Sequence, residues 1–187
     1  VAGSTLTLDG GSDVNGTITV TTGTVDANGT FDATGGNVTF TGAGNLTLSG
    51  AVTSLGTLTD AANGTVTYDG AGAQNIVADD YVHLIVGGGA GTKTLLGAVV
   101  VAGAFTTDAS VTTAMGANNL TVAGATTIDG TVTIVTGTLD ANGAFDATGA
   151  GDATGGFVTF TGAGNLTLSG AVTSLGTLTD AANGTVT

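Results

Sequence analysis

Thirty residues, VTFTGAGNLTLSGAVTSLGTLTDAANGTVT, occur twice without a change, at 38–67 and at 158–187. Duplication at a fixed offset, here 120, marks a chain built by stacking similar units, none of which buries its apolar face alone. The match reaches upstream, where GTITVTTGTVDANGTFDATG from Gly16 pairs with GTVTIVTGTLDANGAFDATG from Gly130 at an offset of 114. The difference of six is a local tandem copy, DATGAG then DATGG at 146–156, against a single DATGG at 32–36. An insertion that leaves both flanks intact is expected to bulge out as a loop or to add a strand and turn, since either preserves the register of its neighbours. The chain therefore reads as one continuous array over 1–187, with repeat unit A at 6–67, linking coils at 68–119 and repeat unit B at 120–187. Thr187 aligns with Thr67, after which the first copy runs on into YDGAGAQNIV. The expectation is a slice of a longer array, continued at both ends by further repeats or by another subunit stacked end to end.

Apolar residues alternate with polar ones in short bursts, LTL from Leu6, TITV from Thr17, VTF from Val38 and TVTY from Thr65, the pattern of strands three to five residues long. Between them lie turns such as GGSD, DANG, TGAGN and AANG, rich in residues that tolerate positive φ. No window has helical spacing. A finer unit, Gly, five residues, Gly, small, apolar, Thr, starts at Gly10, Gly50, Gly97, Gly124 and Gly170, with Ile18, Leu58, Phe105, Val132 and Leu178 at the apolar position. The predicted fold is all-β, a parallel β-solenoid (β-helix) of short strands with about 20 residues per coil, so that the long offset spans about six coils. The alternative is a set of tandem antiparallel β-sandwich repeats, favoured by Asn-Gly at 15, 28, 63, 142 and 183, a strong hairpin signal. Against it stand the shortness of the strands and the scarcity of bulky residues, six Phe and no Trp in a chain with 35 Gly and 40 Thr. A narrow solenoid core suits such a composition better than a sandwich does.

Charge excludes several partners. All fourteen acidic residues are Asp, and Lys93 is the one Lys or Arg, for a net charge of -13. Without a basic cluster to displace phosphate counterions there is no case for nucleic acid, nor for anionic membrane surfaces. No apolar run approaches the roughly 20 residues of a membrane-spanning helix, so membrane insertion by a helix is not expected. The lack of Cys removes disulfides and thiolate metal sites.

Residues 66–105 carry a recognisable series: Gly70, Gly72, Gln74 and Ile76, then Tyr81 and Leu84, then GTKTL at 91–95, then GAVVVAG at 97–103. It resembles the β-strand repeats of giant bacterial surface and secreted proteins, adhesin-like and autotransporter-like. The resemblance implies a β-repeat fold and an extracellular, cell-surface location, with no specific ligand. The flanking copies lack the Gln and Tyr elements.

Candidate chemistry is sparse. Lys93 is expected to be a solvated turn residue paired with an Asp, and His83, alternating within YVHLIV, to face outward without a metal or catalytic partner. Arg is absent and only one Lys is present, so catalytic residues are none and no enzymatic activity is expected. Stacked coils would bring like-placed Asp residues together, Asp60 and Asp80 for instance, and carboxylates about 5 Å apart repel unless bridged. Calcium is the cofactor such a pair would take, although the Gly-Gly-x-Gly-x-Asp nonapeptide of calcium-loaded solenoids is missing. Thr-x-Thr pairs (Thr17/Thr19, Thr39/Thr41, Thr57/Thr59, Thr65/Thr67, Thr131/Thr133) would suit an ice-binding face if aligned, but they recur at intervals of 22, 18 and 8. Eight Asn-x-Ser/Thr sequons, among them Asn15, Asn45 and Asn63, allow glycan attachment. The functional expectation is an extracellular structural repeat forming a surface fibre, filament, sheath or adhesin stalk that associates end to end. The alternative is an ice-binding or calcium-stabilised adhesin solenoid.

Overall fold

A computed structural model describes residues 1–61, 63–149 and 155–187. Among them 27 strands and no helix wind into nine coils, three strands to a coil and one on each of three faces. The first face is a single parallel sheet of nine strands, from Thr5–Leu8 to Val172–Ser174. The second runs through three strands ending at Val52–Ser54 and then six from Gln74–Ile76 to Thr177–Asp180. The third likewise has three strands ending at Thr57–Asp60 and six from Asp80–Tyr81 to Thr185–Val186. Along the first face Thr5 pairs with Thr24, Thr24 with Asn45, Asn45 with Thr65 and Thr65 with His83, so each coil takes about 20 residues as the repeat length required.

All these pairings are parallel, and the antiparallel sandwich is not formed. Strands this short gain little from a hairpin partner, whereas stacking gives each one neighbours above and below. Asn-Gly serves corners here: Asn63 and Asn183 adopt φ of 59° and 60°, a region that Asn reaches more readily than most residues.

Alternation sorts the side chains. In Thr65–Tyr68, Val66 and Tyr68 point inward and are buried while the threonines face out. Like stacks on like: Val25, Leu46, Val66, Leu84 and Phe105 form one continuous inward file on the first face, each 2% exposed or less. Burying such side chains contributes about 1.5–3 kcal/mol apiece, which is how a core only a few side chains wide is stabilised. Corners are pinned by glycine where coils come closest. Gly10, Gly29 and Gly50 lie one above another, and a Cβ on Gly50 would sit 2.0 Å from the Gly29 carbonyl oxygen.

The duplicated block does not return to the same face. Asn37–Phe40, Asn45–Leu48 and Val52–Ser54 lie on the third, first and second faces, while their copies Phe157–Phe160, Asn165–Leu168 and Val172–Ser174 lie on the second, third and first. The copies are the sixth and twenty-third of the described strands, seventeen apart, which agrees with the expected span of about six coils but stops one strand short of a whole number. Faces are interchangeable because each asks only for alternating inward apolar residues and a glycine corner.

Within the tandem copy at 146–156, residues 150–154 lie outside the described residues, but their flanks do not. Gly156 N–H donates to the Ala147 carbonyl at 2.9 Å, as Gly36 does to Ala33 at 2.8 Å in the first copy. Thr131–Ile134 still pairs residue for residue with Phe157–Phe160, so the register survives the insertion.

Candidate functional site

The least regular place in the described rod lies between its third and fourth coils. The first face runs through unbroken, but Val52–Ser54 and Gln74–Ile76 belong to separate ladders, as do Thr57–Asp60 and Asp80–Tyr81. Side chains replace the missing backbone bonds. Gln74 points inward, buried, and its amide donates to the Leu48 and Gly50 carbonyls at 2.7 and 2.6 Å, while its Oε1 accepts from Gly70 N–H at 3.1 Å. Lys93 lies above Gln74 in the same inward file, fully buried, with its ammonium donating to the Gly70 and Gly72 carbonyls.

That placement corrects the expectation for Lys93, which is neither solvated nor in a turn. Within TKTL the alternation that sends Leu95 inward sends Lys93 inward too, and its stem fills a core position while carbonyls take its charge. Burial lowers its pKa from the ordinary value, and the negative charge of Asp69 pulls it part of the way back. Asp69 itself accepts from Ser49 Oγ at 2.7 Å.

A second polar group closes the corner after Gln74–Ile76. Tyr81 Oη donates to the Val77 carbonyl at 2.8 Å and lies 3.0 Å from Tyr68 Oη, which in turn accepts from Val77 N–H at 3.3 Å. The rings meet edge to face, with centroids 6.5 Å apart. Burial pushes the Tyr68 hydroxyl up to about 12 and raises that of Tyr81 as well, its neighbour Tyr68 adding to the effect. The Gln and Tyr elements of residues 66–105 are thus the residues that join two stretches of coil.

Two recesses flank this joint. One, of about 370 Å³, is lined by Ser49, Val52, Gly72, Gln74, Asn75 and Thr94. The other, of about 410 Å³, is lined by Asn63, Thr65, His83, Ile85 and Thr106 among others. His83 faces outward as its alternation predicted, and its Nδ1 accepts from Ala104 N–H at 2.9 Å. Asp60 ends the strand Thr57–Asp60 and accepts from Gly64 N–H at 3.0 Å. Asp80 begins Asp80–Tyr81, and its own N–H donates to the Asp79 carboxylate at 2.9 Å. The strands of Asp60 and Asp80 lie in different ladders. Among the described residues no three His, Cys, Asp or Glu side chains gather as a metal site would require. Several Asp residues serve their own turns: Asp32 takes the N–H and hydroxyl of Thr34, and Asp146 those of Thr148, bonds that hold both carboxyls below their ordinary pKa.

The threonines are more ordered than their intervals suggest. Thr19, Thr39 and Thr59 stack in register on the third face; the step of 8 to Thr65 is a move to the next face. On the second face two outward files run side by side, Thr112, Thr131, Phe157, Thr177 and Ala114, Thr133, Thr159, Thr179. Sequon side chains Asn28, Asn37 and Asn165 bond to Asp9, Thr17 and Thr138 of the coil beneath.

The fold and joint define a three-sided parallel β-solenoid with a polar seam in its interior. Set against protein families, curated protein sequences and solved structures, the chain matches none.

Proposed function

We propose that this chain is a non-catalytic structural repeat that builds an extracellular rod, as part of a surface fibre, filament, sheath or adhesin stalk. The observation that carries the reading is the first face, one parallel ladder continuous through all nine coils, which makes a stiff body about 40 Å long at a strand spacing of about 4.8 Å. Three further features support it. The net charge of -13 keeps neighbouring rods apart in solution, and the one Lys is buried, which leaves trypsin-like proteases no accessible Lys or Arg. The ammonium of Lys93 and the hydroxyls of Tyr68 and Tyr81 are engaged in holding coils together, an arrangement suited to structure and unsuited to proton transfer with a substrate. The resemblance of residues 66–105 to adhesin-like surface repeats points the same way. Electron microscopy of native material tests it: continuous fibres or tethered rods are expected, and the protein found dispersed as single globular particles in the cytoplasm would overturn it.

A second reading follows from the paired Thr files of the second face. Hydroxyls and methyls in regular files can hold water in a lattice-like layer, and an ice-binding role is proposed on that ground, with Phe157 and Ala114 as its interruptions. An ice-recrystallisation assay with no effect at micromolar protein removes it. Calcium stabilisation is tested by melting with and without a chelator: a lowered midpoint supports it and an unchanged one ends it.

A further inference from the structure

Asn followed by Gly is a pair at which a chain can modify itself, because the Gly nitrogen, unhindered by a side chain, can reach the carbonyl carbon of the Asn side chain. Four of the five such pairs form two matched sets. Asn63 and Asn183 lie in the identical sequence TDAANGTVT, Asn28 and Asn142 in the similar TVDANGTF and TLDANGAF. All four Asn are exposed, yet the fold treats the two sets differently. The N–H groups of Gly64 and Gly184 donate to the carboxylates of Asp60 and Asp180 at 3.0 and 2.9 Å, and Asn63 and Asn183 hold positive φ. Asn28 and Asn142 are not in that region, and among the described residues no hydrogen bond engages the N–H of Gly29 or Gly143.

We propose that Asn28 and Asn142 are sites of spontaneous deamidation in the folded rod, and that Asp60 and Asp180 protect Asn63 and Asn183 from it. The Gly29 nitrogen attacks Cγ of Asn28, gives up its proton and displaces the amide nitrogen as ammonia, leaving a cyclic imide. Water then opens either carbonyl of the ring, giving Asp or an isoaspartate whose main chain runs through the former side chain. Gly143 acts on Asn142 in the same way. At Asn63 and Asn183 the nucleophile is tied to a charged acceptor, a bond that must break first. The change bears on the stack. Asn28 Nδ2 donates to the Asp9 carboxylate of the coil beneath at 3.0 Å, so deamidation sets a second carboxylate there and turns attraction into repulsion. Isoaspartate also lengthens the main chain beside Gly29 and Gly143, where an added Cβ would stand only 2.3 and 2.1 Å from the Gly10 and Gly124 carbonyl oxygens. The inference rests on the bonding around these pairs, so it stands or falls apart from the extracellular reading.

The test ages the folded 187-residue chain at mildly alkaline pH, digests it with chymotrypsin and reads Asp and isoaspartate by mass spectrometry; cleavage after Tyr68 distinguishes the Asn63 peptide from that of Asn183. Deamidation at Asn28 and Asn142 is expected at least about tenfold faster than at Asn63 and Asn183. In urea the four sites should react at comparable rates. Asp60→Ala should raise the rate at Asn63 alone, and Asp180→Ala at Asn183 alone, with Asn28 in the same sample as the reference. The unmutated chain, folded against unfolded, decides the matter even where a variant fails to fold. Equal rates at the four sites of the folded chain, a difference that persists in urea, or an unchanged Asn63 in folded Asp60→Ala overturns the proposal.

Discussion

Leu46 and Leu166 stand at the same place in an identical thirty-residue sequence and are both fully buried, the first on the first face of the rod and the second on the third. Each sits between an inward residue below, Val25 or Leu139, and an inward valine above, Val66 or Val186. The neighbours match in kind but not in cover, since Val66 is 2% exposed and Val186 39%. Leu46→Ala should cost about 2–5 kcal/mol in urea denaturation and Leu166→Ala less, because the layer above it is the more exposed; equal penalties would show that cover from above does not set the cost at this position.

Gln74→Ala should be among the costliest polar substitutions, because it strands the Leu48 and Gly50 carbonyls and the Gly70 N–H at the place where two of the three ladders are interrupted. About 2–4 kcal/mol is expected. Hydrogen exchange should show the first three coils opening apart from the remainder; a single cooperative unfolding at unchanged stability would speak against the joint.

These residues also show what could be read in the sequence. Strands such as Thr65–Tyr68 and Asn45–Leu48 were legible because alternation and glycine turns agreed, and parallel stacking followed from the repeat. The polar interior was missed, although its signal was present: Lys93 lies two residues before Leu95 and Gln74 two before Ile76, so parity alone put both on the inward face. For Lys93 residue type argued for solvent and prevailed wrongly, since carbonyls turned inward at a glycine corner are visible only in three dimensions. Two-residue strands such as Phe31–Asp32 are too short to carry a period. The face-switching of the repeat was hidden because intervals of 22, 18 and 8 mix steps along a face with steps between faces.

Gly50→Ala and Gly10→Ala form a matched pair in one corner file. A Cβ at Gly50 meets the Gly29 backbone at 2.0 Å, while at Gly10 nothing lies within 4 Å. Thermal melts should show Gly50→Ala strongly destabilised. Gly10→Ala should be neutral, or more stable by about 0.4–1 kcal/mol through a less flexible unfolded chain.

The tyrosine pair makes the rod sensitive to alkali. Both hydroxyls have folded-state pKa values raised above the ordinary 10.0, so their contribution is fully present below pH 10 and is lost as pH rises through the folded values. Ultraviolet titration should show no phenolate until about pH 12, where it should appear together with unfolding. Tyr81→Phe should cost about 1–3 kcal/mol at neutral pH, since the Val77 carbonyl loses its donor. Phenolate absorbance near pH 10 in the folded protein would contradict the buried pair.

Asp79 behaves in the opposite sense to the turn aspartates. Burial, reinforced by the charge of Asp80, raises its pKa against the help of the Asp80 N–H, so its ionised form costs stability and the cost is relieved as pH falls through the raised value. Asp79→Asn keeps an acceptor for that N–H and should raise the melting midpoint at pH 7. The gain should fade toward pH 4, and a gain unchanged at low pH would exclude charge as its cause.

Seventeen and three share no common factor, and that arithmetic governs how the rod meets its surroundings. Because the copies are seventeen strands apart on a three-sided body, the same patch of surface looks out a third of a turn away the second time it occurs. A repeat of eighteen strands would give the rod a back and a front, as a ruler has; a repeat of seventeen distributes each motif around the axis like steps on a spiral stair. Recombination that adds or drops whole strand-and-turn units, in any number, then still yields a chain that winds.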